Sequence, residues 1–130
     1  PIAFFNGQTL LLDDVKVSVN DRAYVFGDGV YEVLRVYQSR PMILSAHMQR
    51  LKNSLKAIGI KDMDLSEQIL ANIKINNINE GMVYVQVSRG TAPRVHSFYK
   101  LELSPNVLIY SKAFAFHIQN EVLAHYRQSD

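Results

Sequence analysis

The chain is expected to fold as an α+β domain, a two-layer sandwich of a mainly antiparallel sheet with two helices on one face. Three observations predict this. Apolar residues read as β over the first forty positions and again from Met82 onward. Between these blocks the apolar spacing changes to steps of three and four. Strands, then helices, then strands along one chain favour segregated layers over alternating parallel units.

The elements follow in order. "IAFFNGQTLLL" sets Asn6-Gly7 between two apolar runs, the strongest short signal for a hairpin. "VKVSV" alternates Val15, Val17 and Val19 against Lys16 and Ser18 and reads as a further strand. "VYEVLRVYQSRPMIL" gives two strands about a turn at Ser39-Arg40, with Pro41 just past it. In "SAHMQRLKNSLKAIGI" the positions Leu44, Met48, Leu51, Leu55 and Ile58 form one helical stripe, with Ser45 as N-cap and Gly59 as the stop. A second helix starts at "DLSEQIL", where Asp64 and Glu67 resemble a capping box and Leu65, Ile69 and Ile73 form the stripe. In "MVYVQVSRG" Val83, Val85 and Val87 occupy one face and Tyr84, Gln86 and Ser88 the other. "NVLIYSKAFAF" is the last strand, and "NEVLAHYRQSD" carries no pattern.

Composition narrows the function classes. At 130 residues the chain suits one domain with a core, and 48% hydrophobic with 20% charged residues is ordinary for a globular protein. The net charge of +2 is scattered, which argues against nucleic acid and suits a small anionic ligand. Absence of cysteine excludes disulfides and thiolate metal sites, and the four histidines are too dispersed for metal-ligand spacing. No apolar run is long enough to span a membrane, and the opening residues do not resemble a secretory signal, so a cytoplasmic location is expected.

A few residues could carry chemistry. Arg50 lies beside the apolar stripe of the first long helix, with His47 and Ser54 on its flank. A solvated arginine is the commoner use of such a position; a guanidinium fork on a phosphate is the functional one. Tyr31 and Val33 share a strand face, where a half-buried packing role competes with ligand contact. Gly27-Asp28-Gly29 precedes a strand rather than a helix, which rejects a dinucleotide loop and suggests a close backbone approach or a bulge. Arg94 and His96 sit two apart at a loop tip in "SRGTAPRVHSF", so in an extended stretch both point the same way and could hold a carboxylate. A site with both grips would take a phosphorylated cofactor and an acid substrate.

"NDRAYVFGDGVYEVLRVY", "HMQRLKNSLKAIGI" and "VYVQVSRGTAPRVHSF" together resemble the fold-type IV pyridoxal-phosphate enzymes, over roughly residues 3 to 112. Within that family the tip "RGTAPRVHSF" is most similar to the D-amino-acid (D-alanine) aminotransferase branch. The resemblance implies pyridoxal 5'-phosphate as cofactor, an amino acid and a 2-oxo acid as substrates, and a homodimer. It implies that Arg50 binds the cofactor phosphate, and that Tyr31, Arg94 and His96 form a carboxylate trap whose last two members come from the neighbouring subunit. Val33 and Tyr84 would line the pocket. Aminodeoxychorismate lyase and branched-chain aminotransferase are alternative activities; a stand-alone binding or assembly module without catalysis is the alternative from another class.

Family members are about twice this long. The expected organisation is therefore an N-terminal domain over 1–115 and the start of an interdomain linker over 116–130. The catalytic C-terminal domain would lie outside this chain. None of the lysines present sits in a motif matching the Schiff-base lysine, so these residues alone should be inactive.

Overall fold

A computed structural model of the chain describes residues 1–96 and 103–114. The expected linker over 116–130, the end of the "NVLIYSKAFAF" strand and the last two residues of "SRGTAPRVHSF" lie outside the described residues. Six strands form one sheet in the order β2-β1-β6-β5-β3-β4, every pairing antiparallel. They are β1 (Ile2–Phe5), β2 (Gln8–Leu11), β3 (Gly29–Tyr37), β4 (Arg40–Pro41), β5 (Gly81–Ser88) and β6 (Asn106–Ala113). The helices are α1 (Arg22–Phe26), α2 (Leu44–Ala57) and α3 (Ser66–Ile75). The α+β architecture is as expected, with α2 and α3 sharing one face of the sheet.

Alternation explains that face. Leu34 and Val36 of β3, Val83, Val85 and Val87 of β5, and Ile109 of β6 all point inward and are fully buried. They meet Leu51 and Leu55 of α2 and Ile69 and Ile73 of α3, the stripe positions read from the sequence, in one core. Polar groups tie α3 to the sheet as well. Asn76 exchanges two hydrogen bonds with the backbone of Ile2, at 2.7 and 2.8 Å, and the Ser111 hydroxyl donates to Asn72 Oδ1 at 2.7 Å.

Local expectations fared unevenly. The β1–β2 hairpin turns at Asn6-Gly7, both at positive φ, as a two-residue primed turn requires. The β3–β4 turn is at Gln38-Ser39, one residue earlier than predicted, because Tyr37 pairs with Arg40 and the two central residues take φ of 50° and 63°. "VKVSV" is no strand: it pairs with no strand among the described residues, and Val17 and Val19 are exposed, so its alternation has no buried face to serve. Helix α2 starts at Leu44 rather than after a Ser45 cap. Ile43 precedes it in the left-handed conformation, because Met42, buried and bonded through its N–H to the Arg35 carbonyl, fixes the angle of entry. At α3, Asp64 Oδ1 accepts from the backbone N–H and hydroxyl of Ser66, and no bond back from Glu67 completes a capping box.

Helix α1 was not foreseen in "NDRAYVFGDG". Asp21 accepts from the Ala23 N–H at 2.8 Å and the left-handed Gly27 ends the helix after five residues. The chain then enters β3 at Gly29, where a Cβ would stand 2.8 Å from the Val87 carbonyl oxygen. That is the close backbone approach expected of the Gly-Asp-Gly segment.

Candidate active site

The sheet has two unlike faces. Opposite the helices, Tyr31 and Val33 of β3 stand exposed, as their strand phase predicts. Val33 pairs directly with Tyr84, and Tyr84 with Tyr110 of β6. The Tyr31 and Tyr84 rings stack with centroids 5.9 Å apart and a 19° tilt; Tyr84 and Tyr110 follow at 5.3 Å. Burial raises the Tyr84 phenol above its ordinary pKa, with its two tyrosine neighbours adding to the effect. Gln86, the cross-strand partner of Tyr31, borders a cleft of about 410 Å³ lined also by Ser88, Asn106, Leu108, Asp21 and Tyr24.

Glu32 breaks the apolar phase of β3. It lies on the helix-covered side between Val30 and Leu34 with only 3% of its side chain exposed. Arg50 of α2 grips it with both ends of its fork: Nε donates to Oε2 at 2.8 Å and Nη2 to Oε1 at 2.9 Å. His47 Nδ1 approaches Oε1 at 2.6 Å. Arg50 is nonetheless 66% exposed, and among the described residues its Nη1 has no hydrogen-bond partner. The arrangement is a guanidinium of fixed direction with one edge free, which is what an anion needs to find.

Among the described residues, β4 pairs only with Val36 and Tyr37, and residues 29–34 of β3 have no strand partner on that side. Arg50 reaches Glu32 of that stretch from α2. Its pKa is held above the ordinary arginine value by the hydrogen bonds and charge of Glu32, and Tyr31 on the other face adds a smaller contribution in the same direction.

Burial pushes the Glu32 carboxyl up, but the hydrogen bonds and charge of Arg50 and His47 outweigh it and leave the pKa below the ordinary 4.5. A carboxylate with a depressed folded pKa contributes stability above its unfolded value and loses it as pH falls through the folded one. Glu32→Gln should therefore cost a constant amount of stability above pH 4.5. Below it the gap to the unmodified protein should shrink, as urea unfolding against pH would record; a gap unchanged by acid would contradict the ion pair.

The other predicted residues gather elsewhere. Arg94 and His96 are exposed and lie against Phe26, the Arg94 Cζ 5.3 Å from its ring centroid and the His96 ring 5.4 Å away. Beneath them Asp28 Oδ2 accepts from Arg22 Nε at 2.8 Å and Arg89 Nε at 2.7 Å. Arg22 continues to the carbonyls of Val95 and His96, and Arg89 to that of Ile58 at the end of α2. Burial again works against the Asp28 charge, and the two arginines more than compensate, so its pKa lies below 3.8. Among the described residues, Arg94 and His96 contact this cluster and not Tyr31. One chain therefore presents its predicted site residues in three places: Arg50 with Glu32 on the helix-covered side, Tyr31 and Val33 beside Tyr84 on the open face, and Arg94 with His96 against Phe26.

Residues 29–129 match the family model described as amino-transferase class IV. The chain belongs to that family. It is 37% identical over 127 residues to a D-alanine aminotransferase of Staphylococcus aureus (strain MSSA476), covering 92% of this chain and 45% of that protein. With a D-alanine aminotransferase of Bacillus licheniformis the identity is 40% over 111 residues, covering 82% and 39%. The chain thus spans less than half the length of these relatives. Among solved structures, a 4-amino-4-deoxychorismate lyase from Pseudomonas aeruginosa superposes with a TM-score of 0.71 at 25% identity, covering 85% of this chain and 39% of that one. A branched-chain aminotransferase of Escherichia coli gives 0.77 at 23%, covering 92% and 42%, and supports the fold. The class IV family is thereby that of the resemblance read from the sequence.

No helix among the described residues is long and apolar enough to cross a membrane. Likewise, no group of three or more His, Cys, Asp or Glu among them could hold a metal ion.

Proposed function

We propose that these residues are the N-terminal part of a pyridoxal-phosphate-dependent aminotransferase that exchanges an amino group between a D-amino acid such as D-alanine and a 2-oxo acid such as 2-oxoglutarate. Family membership and the D-alanine aminotransferase relatives support the reaction class. The observation that carries the reading here is Arg50: exposed, yet aimed by a buried carboxylate, with Nη1 uncommitted. Such a group fits a phosphate, whose oxygens accept from a fork held in one direction.

When bound, pyridoxal phosphate supplies the electron sink for chemistry at the substrate α-carbon. The chain's own residues bind and orient. Arg50 holds the cofactor phosphate. Tyr31 offers a phenol from the open face, with Val33 and Tyr84 forming the wall beside it. Arg94 and His96 supply two donors for the substrate carboxylate and so select which face of the α-carbon is presented. Their separation from Tyr31 within one chain favours a homodimer in which the trap closes with the neighbour's loop. The Schiff-base lysine is assigned to residues outside these 130, so the chain alone does not turn over. The protein acts in the cytoplasm on this reading.

A second reading is aminodeoxychorismate lyase, supported by the lyase superposition at 25% identity. The intact protein should convert D-alanine and 2-oxoglutarate to pyruvate and glutamate, and should release no 4-aminobenzoate from aminodeoxychorismate. Release of 4-aminobenzoate without transamination would replace the first reading by the second.

A further inference from the structure

The loop tip that carries Arg94 and His96 does not stand free. Arg22 is buried, its Nε bound to Asp28, and its two terminal nitrogens donate to the carbonyls of Val95 at 2.5 Å and His96 at 3.4 Å. That contact fixes the backbone of the tip and leaves its side chains to be fixed otherwise. The tip bends at Arg94 and at His96 instead of running extended as expected, yet both side chains meet one ring, that of Phe26, the last residue of α1.

Among the described residues, two guanidinium groups and one imidazole ring meet the Phe26 ring. Arg22 Cζ is 4.6 Å from its centroid, Arg94 Cζ is 5.3 Å away, and the His96 ring is tilted by 54° at 5.4 Å. Two guanidinium groups beside one ring repel unless something compensates. Asp28, shared with Arg89, offsets part of the Arg22 charge, and the negative π face attracts both cations. Moreover, α1 is held at both ends, by the Asp21 cap and by the Gly27 turn, so the ring cannot drift with the tip.

We infer that Phe26 is a positioning residue for Arg94 and His96: its ring sets the direction in which the two donors meet a carboxylate. This rests on reading that pair as carboxylate-binding. Phe26 itself touches no substrate; it removes rotameric freedom that binding would otherwise have to freeze.

The test is equilibrium binding of propionate, a carboxylate of alanine's length without the amine, followed by the His96 imidazole NMR signals of the intact protein. Four forms are compared: unmodified, Arg94→Ala, Phe26→Leu, and one with pentafluorophenylalanine at position 26. The last keeps the shape of the ring and reverses the charge of its face, so a role in packing alone would not respond to it. The unmodified protein should bind saturably, and both Phe26 variants should bind about 5- to 30-fold more weakly. Should Phe26→Leu fail to fold, the pentafluoro form decides. Loss in Arg94→Ala with both Phe26 variants unchanged would overturn the inference and leave the carboxylate reading intact. An unmodified protein with no saturable shift, or one indistinguishable from Arg94→Ala, would remove that reading and the inference with it.

Discussion

Replacing Asp28 by alanine should destabilise the protein by about 3–5 kcal/mol, the cost of stranding buried charges without their partner. The side chains of Arg22 and Arg89 are only 4% and 10% exposed, and both donate to the same Asp28 oxygen. Without the carboxylate, two guanidinium groups face each other at the joint of α1, β3 and β5. Neither reaches water freely, since each is also tied to a backbone carbonyl. Asp28→Asn keeps an acceptor oxygen and loses only the charge, so its cost should be smaller. Urea unfolding measures both. A loss below about 1 kcal/mol for Asp28→Ala, the range of surface ion pairs, would show that the cluster is solvated and holds nothing in place.

The second large effect concerns ligand affinity. Arg50→Ala removes a charge-assisted donor, which is worth about 1.5–3 kcal/mol, or about 10- to 150-fold in the dissociation constant for a phosphorylated ligand. It also leaves the Glu32 carboxylate beside the phosphate with only His47 to balance it, and like charges then oppose binding. Arg50→Lys should recover part of the affinity. An ammonium retains the charge but cannot contact both Glu32 oxygens while presenting a free edge.

Much of this was legible in the sequence, for physical reasons that can be named. The valines of β5 and the stripes of α2 and α3 announced their buried faces because their spacing matches the period of each element. Tyr31, Val33 and Tyr84 fell on the open face by the same rule. Glu32 was overlooked, although a signal existed: an acid in the inward phase of Val30, Leu34 and Val36 must find a partner. The Asp28 cluster gave no such notice. Arg89 is 61 residues away in sequence, and only the β3–β5 pairing brings the two together. Phe26 was equally silent, since Arg94 and His96 reach its ring from a loop distant in sequence. "VKVSV" failed in the opposite sense, with a strand period and, among the described residues, no strand to pair with.

The central claim is that Arg50, aimed by Glu32, is the phosphate grip. It is tested most directly by titrating the intact protein with pyridoxal 5'-phosphate and, separately, with pyridoxal, in the unmodified and Arg50→Ala forms. The expected result is at least a tenfold weakening for the phosphorylated compound and none for pyridoxal. Equal weakening of both, or of neither, would contradict the assignment.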